Sequence, residues 1–326
     1  MLKKALLLFN TIKYLKVSQM SNRVKRKFIK PKVDLSNTPK ISNTDNNIQS
    51  FIQPLQRMYG SNSFKFLNKK FILRMPKDWN SANQDKLLLY NLHYFDDLNA
   101  INANQRAIWH YDLIQRWVDE NSPLIGNGWE PYPSSLRIVN WIKWFLLNSN
   151  VKQEWLDSLS IQTRLLSQNL EYHLLGNHLF SNAKALIFAG LFFKGEEANN
   201  WYQTGINIVN KELSEQILSD GGNFELSPMY HSIFLEDLLD LVNLHQAYSR
   251  HLSDNFEIKT VQMLEWLKVM CHPDGEIAFF NDSVHGVAPT SGDLLSYAKR
   301  LNIVCKDNRL SNLTHLKESG YIRLDI

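Results

Sequence analysis

Two cysteines, Cys271 and Cys305, are too few for a disulfide framework or a cysteine metal cluster in a chain of 326 residues. No run approaches the roughly 20 apolar residues that a membrane-spanning helix requires. GxGxxG, P-loop and GxSxG patterns are missing, so nothing points to a dinucleotide, a nucleoside triphosphate or a serine hydrolase. His93, His110, His173 and His272 lack metal-ligand spacing with one another, and no metal or other cofactor is expected. Neither sign of charge dominates: the formal net charge is +4. With no zinc finger or RNA-binding motif either, nucleic acid is not an expected partner. The opening MLKKALLLFNTIKYLK holds an apolar run, Ala5–Phe9, that is too short for a secretion signal and has no small-residue cleavage site after it. The expectation is a chain with no cleaved signal that works in the cytoplasm.

What is there is an ordinary globular composition, 44% hydrophobic and 21% charged, with nine Trp, twelve Tyr and seventeen Phe. Sugar rings stack on such aromatics, although most of them are also what a core needs. The small positive excess gathers at Lys13, Lys16, Arg23, Lys25, Arg26, Lys27, Lys30 and Lys32, a basic arm. Residues 33–50 are polar and rich in Asn and Ser, which reads as linker or extended loop. From about residue 85 the dominant pattern is apolar residues at i+3/i+4 spacing, as in Ile138, Trp141, Ile142 and Phe145, or Leu179, Ala183, Leu186 and Ile187. Long polar loops carrying aromatics separate these helices, which suits helical hairpins set around a centre better than a tight four-helix bundle. The fold class is all-α. Only the last segment departs: Ile322, Leu324 and Ile326 alternate with Tyr321, Arg323 and Asp325, the period of a strand. Its partner would be an upstream strand such as EIAFF, or strands outside the sequence.

Two loop-to-helix junctions gather residues fit for chemistry. In LLGNHLF, Gly176 can end one helix and Asn177 cap the next, leaving Asn177 and His178 at a helix start where free N–H groups favour an anion. In FELSPMYHSIF, Ser227 is the expected cap and Pro228 the first helical residue, which places Tyr230 and His231 in the first turn. β-Elimination beside a uronate carboxylate needs that charge damped, a base for the C5 proton and an acid for the departing oxygen. Asn, His and Tyr can supply these roles. The residue types also allow a plain cap, a buried histidine and a core tyrosine. Near WEPYPSSLRIVNW, Trp129 and Arg137 are expected to hold an acidic sugar, with Glu225 and His231 as further substrate contacts. Glu130, Glu225 and Asp282 could instead form the carboxylate pair of a glycoside hydrolase.

Read together, NTIKYLKVSQMSNRVKRK, DWN at 78–80, LLLYNLHYFDDL, GWEPYPSSLRIVNWIKW, LLGNHLFSNAKAL, GGNFELSPMYHSIFLEDLLDL and FFNDSVHGVAPT resemble the N-terminal domain of the heparinase II/III family, which is related to several alginate lyases. The resemblance runs from about residue 11 to the end. It implies an incomplete (α/α) toroid followed by a β-sandwich, with a cleft between them. The family's Asn-His pair falls on Asn177 and His178 and its catalytic tyrosine on Tyr230. It divides the chain into a basic arm and linker (1–50), a toroid (51–316) and the opening of a truncated sandwich (317–326). A second catalytic histidine belongs to that sandwich and matches no residue here. The implied activity is β-elimination of a uronate-containing acidic polysaccharide. The alternatives are a non-catalytic glycan-binding or assembly protein, or an (α/α) glycoside hydrolase. Without its sandwich the toroid is expected to self-associate through its docking face. Asn177, His178 and Tyr230 should converge on one positive or neutral cleft, with Arg137 or Trp129 on its wall.

Overall fold

A computed structural model describes residues 10, 13, 15–45, 47–284, 286–305 and 312–325. Ala5–Phe9 and Ile326 lie outside them. Among the described residues are ten α-helices: α1 (Val17–Phe28), α2 (Lys86–Tyr94), α3 (Ala107–Glu120), α4 (Pro131–Leu147), α5 (Gln153–Ser167), α6 (Gly176–Phe192), α7 (Glu196–Gln216), α8 (Pro228–Ala247), α9 (Asp254–Val269) and α10 (Ser291–Arg300). From α2 onward they alternate between two layers. The inner arc α2, α4, α6, α8, α10 packs each member on the next, and α3, α5, α7 and α9 lie outside it. This is an incomplete (α/α) toroid.

The helices form where the period predicts, and their composition sorts them between layers. In α6 nearly every side chain from Leu179 to Phe192 is buried, as an apolar surface all round requires of a helix with neighbours on every side. It approaches α7 unusually closely because glycine stands on both helices. A Cβ on Gly190 would come within 2.6 Å of the Tyr202 backbone nitrogen, and one on Gly205 within 2.7 Å of the Ala183 carbonyl. Four of the polar groups inside the arc are paired ions. Asp240, fully buried, accepts from Lys184 of α6 and from Lys143 of α4, the latter at 2.6 Å, and Lys184 also reaches Asp237 at 2.6 Å.

The described residues of 29–57 form no helix and are not a free linker. They run as a strap across α5, the end of α6 and α8. Arg164 donates to the carbonyls of Ser36 and Asn37 (2.8 and 3.0 Å), Ile41 bridges Phe193, and Gln49 exchanges two hydrogen bonds with Asn243 of α8 (2.9 and 2.8 Å). The strap leads into a small antiparallel sheet that the helical reading does not anticipate: β1 (Met58–Gly60), β2 (Ser63–Phe66) and β3 (Lys69–Ile72). Its buried face, Phe64, Phe66 and Phe71, joins the main core.

The C-terminal strand has a local partner. β5 (Tyr321–Leu324) pairs antiparallel with β4 (Leu313–Leu316), not with EIAFF. Leu316 packs on Trp266, Met270 and Ala278, and Trp266 Nε1 donates to Ser319 Oγ at 2.9 Å. No helix among the described residues is long and apolar enough to cross a membrane.

Candidate functional site

Helix α6 opens on a sharp corner. Leu175 and Gly176 both have positive φ, 64° and 56°, so the helix starts at Gly176, one residue before the expected cap. Asn177 and His178 therefore sit inside the first turn, where backbone N–H groups have no helical acceptor. Leucine in that conformation is strained, and the corner is held from behind by Glu171 and Asn182. Asn182 Oδ1 accepts from the Glu171 backbone N–H (2.8 Å), while its Nδ2 donates to Glu171 Oε2 (3.1 Å) and to Ser135 Oγ (3.0 Å). Glu171, 6% exposed, presents its other oxygen to His178 Nδ1 at 3.3 Å. A carboxylate accepts, so Nδ1 carries the proton in this contact and the Nε2 lone pair is left for another partner.

On its other side the His178 ring lies against Tyr132 of α4, centroids 4.4 Å apart. Burial raises the Tyr132 hydroxyl above the usual phenol range, and Asp237, Asp96, Glu171 and Tyr230 add to the rise. Tyr230 thus stands within electrostatic reach of Tyr132. It occupies the first turn of α8 as expected: Ser227 caps the helix, its Oγ accepting from Tyr230 N, and Pro228 is the first helical residue. The loop before it is pinned by the C-terminal hairpin, whose Tyr321 hydroxyl donates to the Leu226 carbonyl at 2.7 Å.

Asn177 and His178 line a cavity of about 580 Å³ with Glu225, Phe224, Glu212 and Lys16 among its other walls. Tyr230 is not among them, so the expected convergence of all three residues on one cavity is met by Asn177 and His178 alone. Burial, then the nearby Asp282, raises the Glu225 carboxyl above the ordinary range.

Several expected contacts lie elsewhere. Arg137 is fully buried in the core of α4. It donates to the carbonyls of Gly128 (2.7 Å) and His93 (3.2 Å) and to Gln162 Oε1 (2.9 Å), over the Trp117 ring, and no sugar carboxylate can reach it there. Trp129 is also buried, its Nε1 donating to the Asn121 carbonyl. His231 points the opposite way from a substrate contact: its Nε2 donates to the Met263 carbonyl at 2.9 Å and its ring stacks on Trp266. Glu130 is held by Lys86 and Tyr90, so it makes no pair with Glu225. Nor is the cavity positive or neutral: Glu212, Glu215 and Glu225 face Lys16. Sequence reasoning counted Tyr132 only within a stretch suited to an acidic sugar and assigned no role to Glu171, Asn182 or Glu212. Tyr132 stood in the conspicuous WEPYP stretch, but nothing in the spacing of the other three marks them.

The fold and this site define a helical toroid with a polar cleft at one rim, built around the start of an inner helix. The chain belongs to the heparinase II/III family: the family model described as the heparinase II/III N-terminus matches residues 27–302. It is 34% identical over 119 residues to a heparin-sulfate lyase of Bacteroides stercoris, a match spanning 34% of this chain and 17% of that protein. A heparin-sulfate lyase of Pedobacter heparinus is 33% identical over 138 residues, 40% of this chain and 20% of that one. Among solved structures, heparan sulfate lyase HepC from Pedobacter heparinus superposes with a TM-score of 0.56 at 19% identity, covering 93% of this chain and 53% of its own length, a likeness of fold. The chain thus spans about half of that structure, and its matches cover smaller parts of the curated relatives.

Proposed function

We propose that this chain is the helical half of a polysaccharide lyase that cleaves a uronate-containing acidic glycan by β-elimination. The observation that carries the reading is the start of α6. Asn177 and His178 stand in a first turn with free N–H groups, with His178 set between Glu171 and Tyr132 and Tyr230 one helix start away. A uronate carboxylate received there meets the positive end of the helix dipole and the Asn177 amide, which damp its charge and acidify the C5 proton. The free Nε2 of His178, oriented by Glu171, can hold the carboxylate or take that proton. Tyr230 can deliver one to the departing glycosidic oxygen. The relatives named as heparin-sulfate lyases support this class of substrate. We place the toroid at 51–316 and read 317–326 as the first part of the second wall of the cleft.

The raised carboxyl of Glu225 beside Asp282 favours one second reading, hydrolysis by that acidic pair. Product chemistry separates the two, because elimination yields an unsaturated uronate that absorbs near the ultraviolet edge and hydrolysis yields only reducing ends. On a panel of uronate polymers, Asn177→Ala, His178→Ala and Tyr230→Phe should each lower formation of unsaturated product by ~10²–10⁴-fold. Turnover that survives all three, or reducing ends without unsaturation, would remove the proposal.

A further inference from the structure

Helix α1 rests on the toroid by its polar face. Val17, Val24 and Phe28 stand at i, i+7 and i+11, with the half-buried Met20 at their edge, and so form one apolar stripe. A surface helix of a globular domain ordinarily turns such a stripe towards the core. Here it is turned outward: Val17 is 77% exposed, Val24 56% and Phe28 81%, and no side chain of α1 is buried. The contacts with the toroid come from the opposite side of the helix. Gln19 Nε2 donates to the Leu174 carbonyl at 3.3 Å, and Arg26, two turns further on, donates to the His173 ring at 2.9 Å. Lys16, just before the helix, pairs with Glu215 at 2.6 Å. Val17, Val24 and Phe28 join neither apolar cluster of the described residues.

The charges beside the stripe have one sign. By the helical period Arg23 and Lys27 flank it on one side and Lys25 on the other, all three exposed, and Lys30 and Lys32 follow. Every charged residue before Asp34 is Lys or Arg. An acidic glycan would engage these cations but gains nothing from Val24 and Phe28. A second copy of α1 could cover the stripe but would bring like charge against like. An anionic bilayer offers both an acyl boundary for the stripe and headgroup charge for its flanks. We propose that α1 is a peripheral anchor that lies flat on an anionic phospholipid surface, with Val17, Val24 and Phe28 in the acyl boundary and Arg23, Lys25 and Lys27 among the headgroups. Lys16 and Gln19 also line the cavity at the start of α6, so the anchored chain holds that cavity close to the bilayer. Anchoring uses neither Asn177 nor His178 and is independent of the chemistry proposed for them.

The test is cosedimentation of the full chain with vesicles of phosphatidylcholine alone and of phosphatidylcholine mixed with phosphatidylglycerol. The chain should bind the mixed vesicles about tenfold or more tighter than the neutral ones, and less tightly as salt is raised. Lys25→Gln together with Lys27→Gln should weaken binding to the mixed vesicles by roughly tenfold or more. Val24→Ser together with Phe28→Ser keeps every charge and should also weaken it by about tenfold or more. All four side chains are exposed, so both double variants should keep the circular dichroism and thermal midpoint of the parent. If Val24→Ser with Phe28→Ser binds the mixed vesicles as the parent does, the stripe does not enter lipid and the anchor falls. If the parent ignores the mixed vesicles but holds an acidic polysaccharide through Lys25 and Lys27, α1 is a glycan-binding arm and the anchor falls as well. Dimerisation without lipid that Val24→Ser with Phe28→Ser abolishes would assign the stripe to a second copy and overturn it too.

Discussion

The role proposed for His178 depends on what stands behind the ring. The loop residue Glu171 is locked by Asn182 through two hydrogen bonds and reaches the imidazole with its remaining oxygen. Glu171→Gln keeps the shape and the Asn182 backbone contact but loses the acceptor charge that fixes the Nδ1 proton. The ring nitrogen resonances of His178 should then report a mixture of tautomers, and the pH profile of unsaturated-product formation should shift. Turnover should fall by less than the ~10²–10⁴-fold expected for removing an acid–base group outright. An unchanged tautomer and pH profile would make Glu171 a purely structural residue. At this scale sequence is least legible. Asn177 and His178 stand out because a helix start after glycine is a local event. Arg137 misleads because an arginine among tryptophans and a helix start fits a sugar site as well as a core hub. Only the packing of α4 between α2 and α6 decides that its guanidinium binds the Gly128 and His93 carbonyls.

At the scale of elements, the helices are readable because burial on one face repeats every three to four residues, and Ser227 with Pro228 marks the start of α8 by local chemistry alone. The sheet at 58–72 escapes because its strands are three or four residues long and interrupted by Lys65, Lys69 and Lys70. In hindsight the alternation of Phe64 and Phe66 and the left-handed turn at Asn68 carry its signal. The contact of α6 with α7 is likewise written in glycine, though no periodicity announces it. Gly205→Ala drives a methyl against the backbone carbonyl of Ala183, which cannot move without its whole helix. We expect a loss of roughly 1–3 kcal/mol or more in denaturant-unfolding free energy. An exposed control such as Asn199→Ala should change it little. Equal stability of Gly205→Ala and the parent would mean that the two helices do not approach so closely in solution.

The whole molecule carries an acid-sensitive core. His93 and His231 are buried and pushed down to about 3, and His245 to about 4, in each case chiefly by desolvation. Their folded values lie below the ordinary histidine value. The unfolded chain therefore binds more protons below pH 6.5, and the stability they contribute is complete above that pH and is lost as pH falls towards 4 for His245 and towards 3 for His93 and His231. Each contributes at most about 1.4 kcal/mol per pH unit inside its window. Glu236 acts in the opposite direction. Burial raises it to about 7, so it costs stability as pH rises from 4.5 to 7. Burial raises the Asp96, Glu212, Glu225 and Asp237 carboxyls in the same direction as Glu236, and we expect the three strongly depressed histidines to outweigh them between pH 6.5 and 5. Denaturation midpoints should fall over that interval, and His231→Gln, which retains a donor for the Met263 carbonyl, should flatten the curve. A midpoint equal at pH 5 and pH 7 would refute the assignment.

The strap at 29–57 also bears on how the ring is made. It leaves the ribosome before any toroid helix, yet its anchors are Asp157 and Arg164 of α5, Phe193 at the end of α6, and Asn243 of α8, the last nearly two hundred residues downstream. The strap must therefore wait for most of the ring before it has a surface to settle on. Chain-closure entropy across such separations makes its docking a late event. Until then the Phe193 end of α6 and the Asn243 face of α8 stay uncovered, and a nascent chain in that state offers its neighbours the surface that the strap is destined to cover.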